Sequence, residues 1–149
     1  MAHSYSGIYY HLIFHTKSNA VLIPRSLFEP LFAYIGGIIR KDDGVLHEAG
    51  GMPNHLHLLV TISRDVSIAN AVRAIKARSS FWLSKQGVEN FGWQNGYTIF
   101  SVSASIAPKV QTYIRNQEQH HRNQDSIEEL RIFYERHGVM ESERTIPPR

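Results

Sequence analysis

Two histidines one residue apart, His55 and His57, and a tyrosine and glutamine four apart, Tyr113 and Gln117, are the residues of this 149-residue chain best suited to chemistry. Asn54-His55-Leu56-His57-Leu58-Leu59-Val60 alternates as a strand does, which sends both imidazoles to one face and Leu56, Leu58 and Val60 to the other. Two neutral imidazoles on one face are a ready pair of metal ligands. At i and i+4, Tyr113 and Gln117 share one face of a helix. The side-chain carbonyl of Gln117 could complete a set of two nitrogens and one oxygen. Such a set leaves positions open for water and phosphate oxygens, which suits Mg²⁺ or Mn²⁺ better than a closed zinc site. With a tyrosine beside it, the site could break a phosphodiester. Blander readings stay open: a strand His pair also marks a half-exposed polar face, and Tyr113 shares a helical side with Val110 and Ile114, as a core aromatic would.

The elements that must position these residues can be read from the pattern. Gly7 to His15 is aromatic and β-branched and reads as a strand. Ser26-Leu27-Phe28-Glu29 has the form of a capping box, followed by an apolar stripe of Leu27, Leu31, Ile35, Ile38 and Ile39 up to Asp43-Gly44. Val45 to Ala49 is a short strand, Gly50 to Asn54 a turn, and His55 to Ile62 the next strand, so the two are expected to form a hairpin. A second helix is capped by Asp65 or Ser67, and Gly87 to Gly96 is a loop. Tyr97 to Val102 is a last strand, a third helix runs from about Ile106 to His121, and Ser126-Ile127-Glu128-Glu129 caps a fourth.

The order βαββαβ plus two C-terminal helices predicts one α+β domain over residues 1–149. Its sheet is antiparallel and ferredoxin-like, with two helices on one face. Leu56, Leu58 and Val60 would meet those helices, and His55 and His57 would lie on the uncovered face.

Composition narrows the partners. The first 122 residues hold 12 Lys/Arg against 7 Asp/Glu, and the remainder 4 against 6. A basic body suits a polyanion. Arg73, Lys76, Arg78 and Lys85 could track phosphates. Trp82, Phe91 and Trp93 could stack on bases, although core anchors fit them better. Adjacent His120 and His121 point about 100° apart on a helix, so they would not chelate one ion together. The absence of cysteine excludes disulfides and thiolate chemistry. With no signal-peptide pattern and no apolar run of bilayer length, a cytoplasmic protein without a membrane partner is expected.

Five blocks, in order, resemble the single-tyrosine HUH transposases of the IS200/IS605 type, including REP-associated tyrosine transposases. They are Tyr10-His11-Leu12-Ile13-Phe14-His15-Thr16-Lys17, residues 50–60 from Gly50-Gly51-Met52-Pro53-Asn54 to Val60, Lys76-Ala77-Arg78-Ser79-Ser80, Trp93-Gln94-Asn95-Gly96-Tyr97, and Tyr113-Ile114-Arg115-Asn116-Gln117-Glu118-Gln119-His120-His121. The resemblance implies a ferredoxin-like fold of the HUH endonuclease type. It also implies that His55 and His57 bind Mg²⁺ or Mn²⁺ with Gln117 as third ligand, and that Tyr113 is the nucleophile. Homodimers would act on single-stranded DNA hairpins through a 5′-phosphotyrosine intermediate. Among the basic residues, Lys17, Arg73, Lys76, Arg78 and Arg115 are the candidate DNA contacts. The helix carrying Tyr113 would reach a partner subunit's sheet. One departure is Ser18-Asn19-Ala20, where many members carry an aromatic or basic residue.

Two rivals stand beside this. A histidine-triad nucleotide phosphoesterase also alternates histidines on a strand, but it needs a third at position 59, where this chain has Leu59. A domesticated DNA-binding protein without catalysis would have no need of the four proposed active-site residues, all of which are present.

Overall fold

The computed structural model of the chain describes residues 3–18, 20–120 and 126–144; Asn19 and His121, singled out above, lie outside the described residues. Four strands form one antiparallel sheet: β1 (Tyr9–His15), β2 (Val45–Met52), β3 (His55–Thr61) and β4 (Thr98–Val102), in the spatial order β2-β3-β1-β4. Helices α1 (Phe28–Lys41) and α2 (Ile68–Lys85) are the two crossovers, and α3 (Ala107–Arg115), α4 (Gln117–His120) and α5 (Ser126–Arg136) follow the last strand. This is the expected α+β, ferredoxin-like architecture.

The main core lies between the sheet and the crossover helices. Leu12 and Phe14 of β1 and Leu56, Leu58 and Val60 of β3 meet Leu31, Ile35, Val72, Ile75 and Leu83, all buried. Strand alternation and the helical stripes converge on this layer. Phe91, Trp82 and Trp93 belong to it as core anchors, and the Trp93 indole donates to Ser79 Oγ at 3.0 Å.

Several boundaries differ from expectation. Ser26 does not cap α1. Leu27 N donates to Pro24 O, closing a 3₁₀ turn over Arg25–Leu27, so the backbone is already wound at Ser26 and α1 begins at Phe28. Of the two candidate caps for α2, Ser67 serves: its hydroxyl accepts from Asn70 N at 3.1 Å. Gly50 and Gly51, read as turn, are ladder residues opposite His57 and Leu56, leaving only Pro53-Asn54 between β2 and β3. Their lack of side chains answers a close approach rather than a turn, because a Cβ on Gly50 would stand 2.0 Å from the carbonyl oxygen of Ile114. The expected third helix is interrupted at Asn116, which leaves α-helical geometry (φ −100°, ψ 29°) and separates α3 from α4.

The largest correction concerns the second face of the sheet, which is not open. Besides the histidines, that face carries Ile13, Leu59, Phe100 and Val102, and exposing them would cost about 1.5–3 kcal/mol each. Ala107, Val110 and Ile114 of α3 cover Leu59 and Val102, while Leu130, Phe133 and Tyr134 of α5 cover Ile13 and Phe100. Among the described residues no helix is long and apolar enough to cross a membrane.

Candidate active site

His55 and His57 stand on β3, between β2 and β1, and share a face as the alternation requires. Both are buried, where exposure was expected. β1 adds two more imidazoles to the same face. His15 pairs with His55 across the strands, and their rings stack at 5.1 Å. His11 Nε2 lies 2.8 Å from His57 Nδ1. His55 Nδ1 lies 2.8 Å from Asn54 Oδ1, an acceptor, so this nitrogen is the donor and the lone pair of the neutral ring sits at Nε2. Burial, then the neighbouring His57, hold His11 well below the usual imidazole pKa, so His11 is a neutral partner.

The side chain facing these nitrogens is Glu129 of α5. Its Oε1 lies 2.7 Å from His57 Nε2 and 3.6 Å from His55 Nε2, and the residue is only 2% exposed. One ligand atom from each of His55, His57 and Glu129 falls within 4.8 Å of the others, a set that could hold a divalent ion. Two imidazoles and a carboxylate suit such an ion chemically.

The Tyr113 hydroxyl donates to the other oxygen of that carboxylate, Oε2. Its ring lies edge-on to His57 (6.0 Å between centroids) and to Phe133 (5.3 Å). Burial first, and then the charge and hydrogen bond of Glu129, push the phenol well above its ordinary pKa, so Tyr113 rests protonated. Gln117 is buried one turn on; its side chain hydrogen-bonds that of Tyr113 and also reaches the Tyr113 carbonyl at 3.5 Å. Glu129 thus joins Tyr113 and His57 within a single chain, so no second chain is needed to bring them together.

The residues expected to touch DNA are dispersed. Arg115, two residues after Tyr113 on α3, is exposed and pairs with Glu48 at 3.0 Å. Lys17 is exposed just beyond β1, its stem against Gly92. Arg73, Lys76 and Arg78 ride on α2, across the sheet from the histidines. Arg73 bonds Asn70, and the Lys76 ammonium donates to the carbonyls of Gln94 and Gly96, both at 2.7 Å.

Sequence reasoning left out Glu129 and His11. In the sequence Glu129 is the last residue of the pattern Ser126-Ile127-Glu128-Glu129, which has the form of a cap. A helical wheel sets it one turn before Phe133, at the edge of the stripe that Leu130 and Tyr134 bury. His11 and His15, four apart in a strand, share a face as His55 and His57 do at two apart, a signal that the sequence itself carries.

Comparisons with known proteins agree with this architecture. Residues 4–117 match the model of the family described as "Transposase IS200 like". A Deinococcus radiodurans R1 protein assigned as a transposase superposes with a TM-score of 0.60 at 23% identity, over 78% of this chain and 96% of that one. A REP-associated tyrosine transposase bound to a REP hairpin superposes with a TM-score of 0.56 at 14% identity, over 94% of this chain and 76% of that one. No curated protein sequence matches the chain significantly. The family match spans the sheet, both crossover helices and the segment from Tyr113 to Gln117, and the chain belongs to the IS200-like transposase family.

Proposed function

We propose that this protein cleaves and rejoins single-stranded DNA at hairpin-marked sites, with Tyr113 as nucleophile. The observation that carries the reading is that the Tyr113 hydroxyl and His57 Nε2 meet on one buried carboxylate, which supports a tyrosine nucleophile working next to a metal site. His55 and His57 would hold Mg²⁺ or Mn²⁺, with Gln117 as the third ligand the resemblance implies. The ion, when bound, supplies Lewis-acid stabilisation of charge on the scissile phosphate.

The chain's own residues do the rest. Tyr113 oxygen attacks phosphorus, forming a 5′-phosphotyrosine and releasing the 3′-hydroxyl; the phosphodiester's energy stays in the new bond for rejoining. Glu129 Oε2 already accepts the Tyr113 proton in a hydrogen bond, so the oxygen that must lose it is oriented beforehand. α3 fixes the ring between His57 and Phe133, and the apolar cover over Ile13 and Leu59 limits water at the site. A groove lined by Arg25, Phe28, Phe32, Gly50, Arg115 and Gln117 opens beside Gln117 and offers a single strand a route to the site. The hairpin carried by the REP-associated neighbour supports a hairpin substrate here, and the resemblance supports a homodimer.

The test is incubation of the protein and Mn²⁺ with labelled single strands from the flanks of its own gene. A covalent adduct mapped to Tyr113 supports the proposal. Hairpin binding without any adduct would point to a non-catalytic DNA-binding protein. Equal affinity for a random duplex would point to a generic nucleic-acid binder, and salt should weaken binding in either case.

A further inference from the structure

We infer that Glu129 is itself a ligand of the divalent ion, adding a carboxylate from α5 to the histidines of β3 and joining ion and nucleophile through its two oxygens. This rests on the metal reading given above and deepens it.

Three observations carry the inference. The first is spacing. Two ligand atoms, each ~2.1 Å from an octahedral Mg²⁺ and at right angles, lie about 3 Å apart. Glu129 Oε1 stands 2.7 Å from one imidazole nitrogen and 3.6 Å from the other, on either side of that value. Shifts of a few tenths of an ångström would admit an ion. The second is the outer shell. His55 Nδ1 is committed to Asn54 Oδ1 and His57 Nδ1 to His11 Nε2, so the Nε2 atom of each ring is turned toward Glu129. Metal-binding histidines are held in this way by a hydrogen bond at their other nitrogen. The third is burial. A carboxylate 2% exposed must be paired or bound to a cation, and this one sits where two nitrogen ligands converge.

The arrangement has a consequence for the C-terminal segment. α5 contributes a ligand from beyond the 4–117 span that matches the family model. Binding of the ion therefore favours the docked position of α5 by mass action.

The test uses the full chain without DNA, titrated with Mn²⁺ by calorimetry and followed by thermal melting. Wild type should bind Mn²⁺ and melt higher with it. Glu129→Gln, nearly equal in volume, should bind at least tenfold more weakly and lose most of that rise. Glu129→Gln binding as tightly as wild type, while His57→Ala does not bind, would overturn the inference and leave the metal reading standing. Equal Mn²⁺ binding by wild type, Glu129→Gln and His57→Ala would remove the metal reading itself. Should Glu129→Gln fail to fold, wild type alone decides through infrared difference spectra with and without Mn²⁺. A shifted carboxylate stretch supports the ligand, and an unchanged carboxylate region overturns it.

Discussion

Nε2 of His57 and Oε1 of Glu129 lie 2.7 Å apart although 72 residues separate them in sequence. The contact ties α5 to the centre of the sheet. It also determines what removing either side chain should do, because each is buried and each answers the other's charge or proton.

For His57→Ala, loss of stability should accompany loss of cleavage. The imidazole is buried between His11 and Glu129, and its removal leaves a buried carboxylate short of a partner. Breaking a buried pair in this way costs about 3–5 kcal/mol. Thermal melting in EDTA should fall by roughly 10 °C, at about 2–4 °C per kcal/mol for a domain of this size. A variant that melts with wild type would mean the contact adds little.

Tyr113→Phe should separate binding from chemistry. The ring keeps its contacts with His57 and Phe133, while the attacking oxygen and its hydrogen bond to Glu129 are lost. Stability should drop by about 1.5–3 kcal/mol, the range for a hydrogen bond to a charged group. Hairpin affinity measured by gel shift should stay within threefold of wild type while adduct formation disappears. Residual cleavage at wild-type rate would move the nucleophile elsewhere.

Acid should destabilise the fold earlier than carboxylates alone would. Burial lowers the His11 pKa in the folded state, so below about pH 6.5 the unfolded chain takes up a proton that the folded chain refuses. Stability from this group is therefore complete above pH 6.5 and declines as pH falls toward the folded pKa, by about 1.4 kcal/mol per pH unit for one proton. Partly buried His47 and His137 shift in the same direction. Urea melts in EDTA between pH 7.5 and 5 should show this slope, and His11→Asn should flatten it. Equal slopes for the two proteins would assign the effect to other groups.

Mixing Tyr113→Phe with His57→Ala should not restore cleavage. Within one chain α3 packs on Leu59 and Val102 and brings Tyr113 to Glu129 and His57, so each subunit of a mixed dimer would carry one lesion in its own site. Recovered cleavage in a verified heterodimer would show that α3 changes partners and that the site is shared.

Local periodicity made much of this legible. The alternation in β3, the stripes of α1 and α2, and the βαββαβ order carry the fold, because each repeats one physical rule over many residues. The His pair was readable on the same grounds, whereas Tyr113 with Gln117 was picked out among seven tyrosines by the family resemblance and not by spacing. Glu129 was not, since its function depends on how α5 docks, and a single acidic residue in the first turn of a helix is equally well a cap. The covered face escaped for a related reason. On that face Ile13 sits between His11 and His15 and Leu59 between His57 and Thr61, as a solvated face allows, and only the apolar sides of α3 and α5 together show that something must lie over them and over Phe100 and Val102. The break at Asn116 has no Gly or Pro to announce it.

The bare backbone at Gly50 has a consequence for how far this site can drift. The Ile114 carbonyl rests where a methyl group would otherwise stand, so main chain stops against main chain one residue after Tyr113. A stop built this way owes nothing to the identity of the side chains around it. Substitutions can accumulate along the outer side of α3 while the depth of the tyrosine over the sheet stays the same. A single added carbon at position 50 would instead lift the whole helix, and the tyrosine with it.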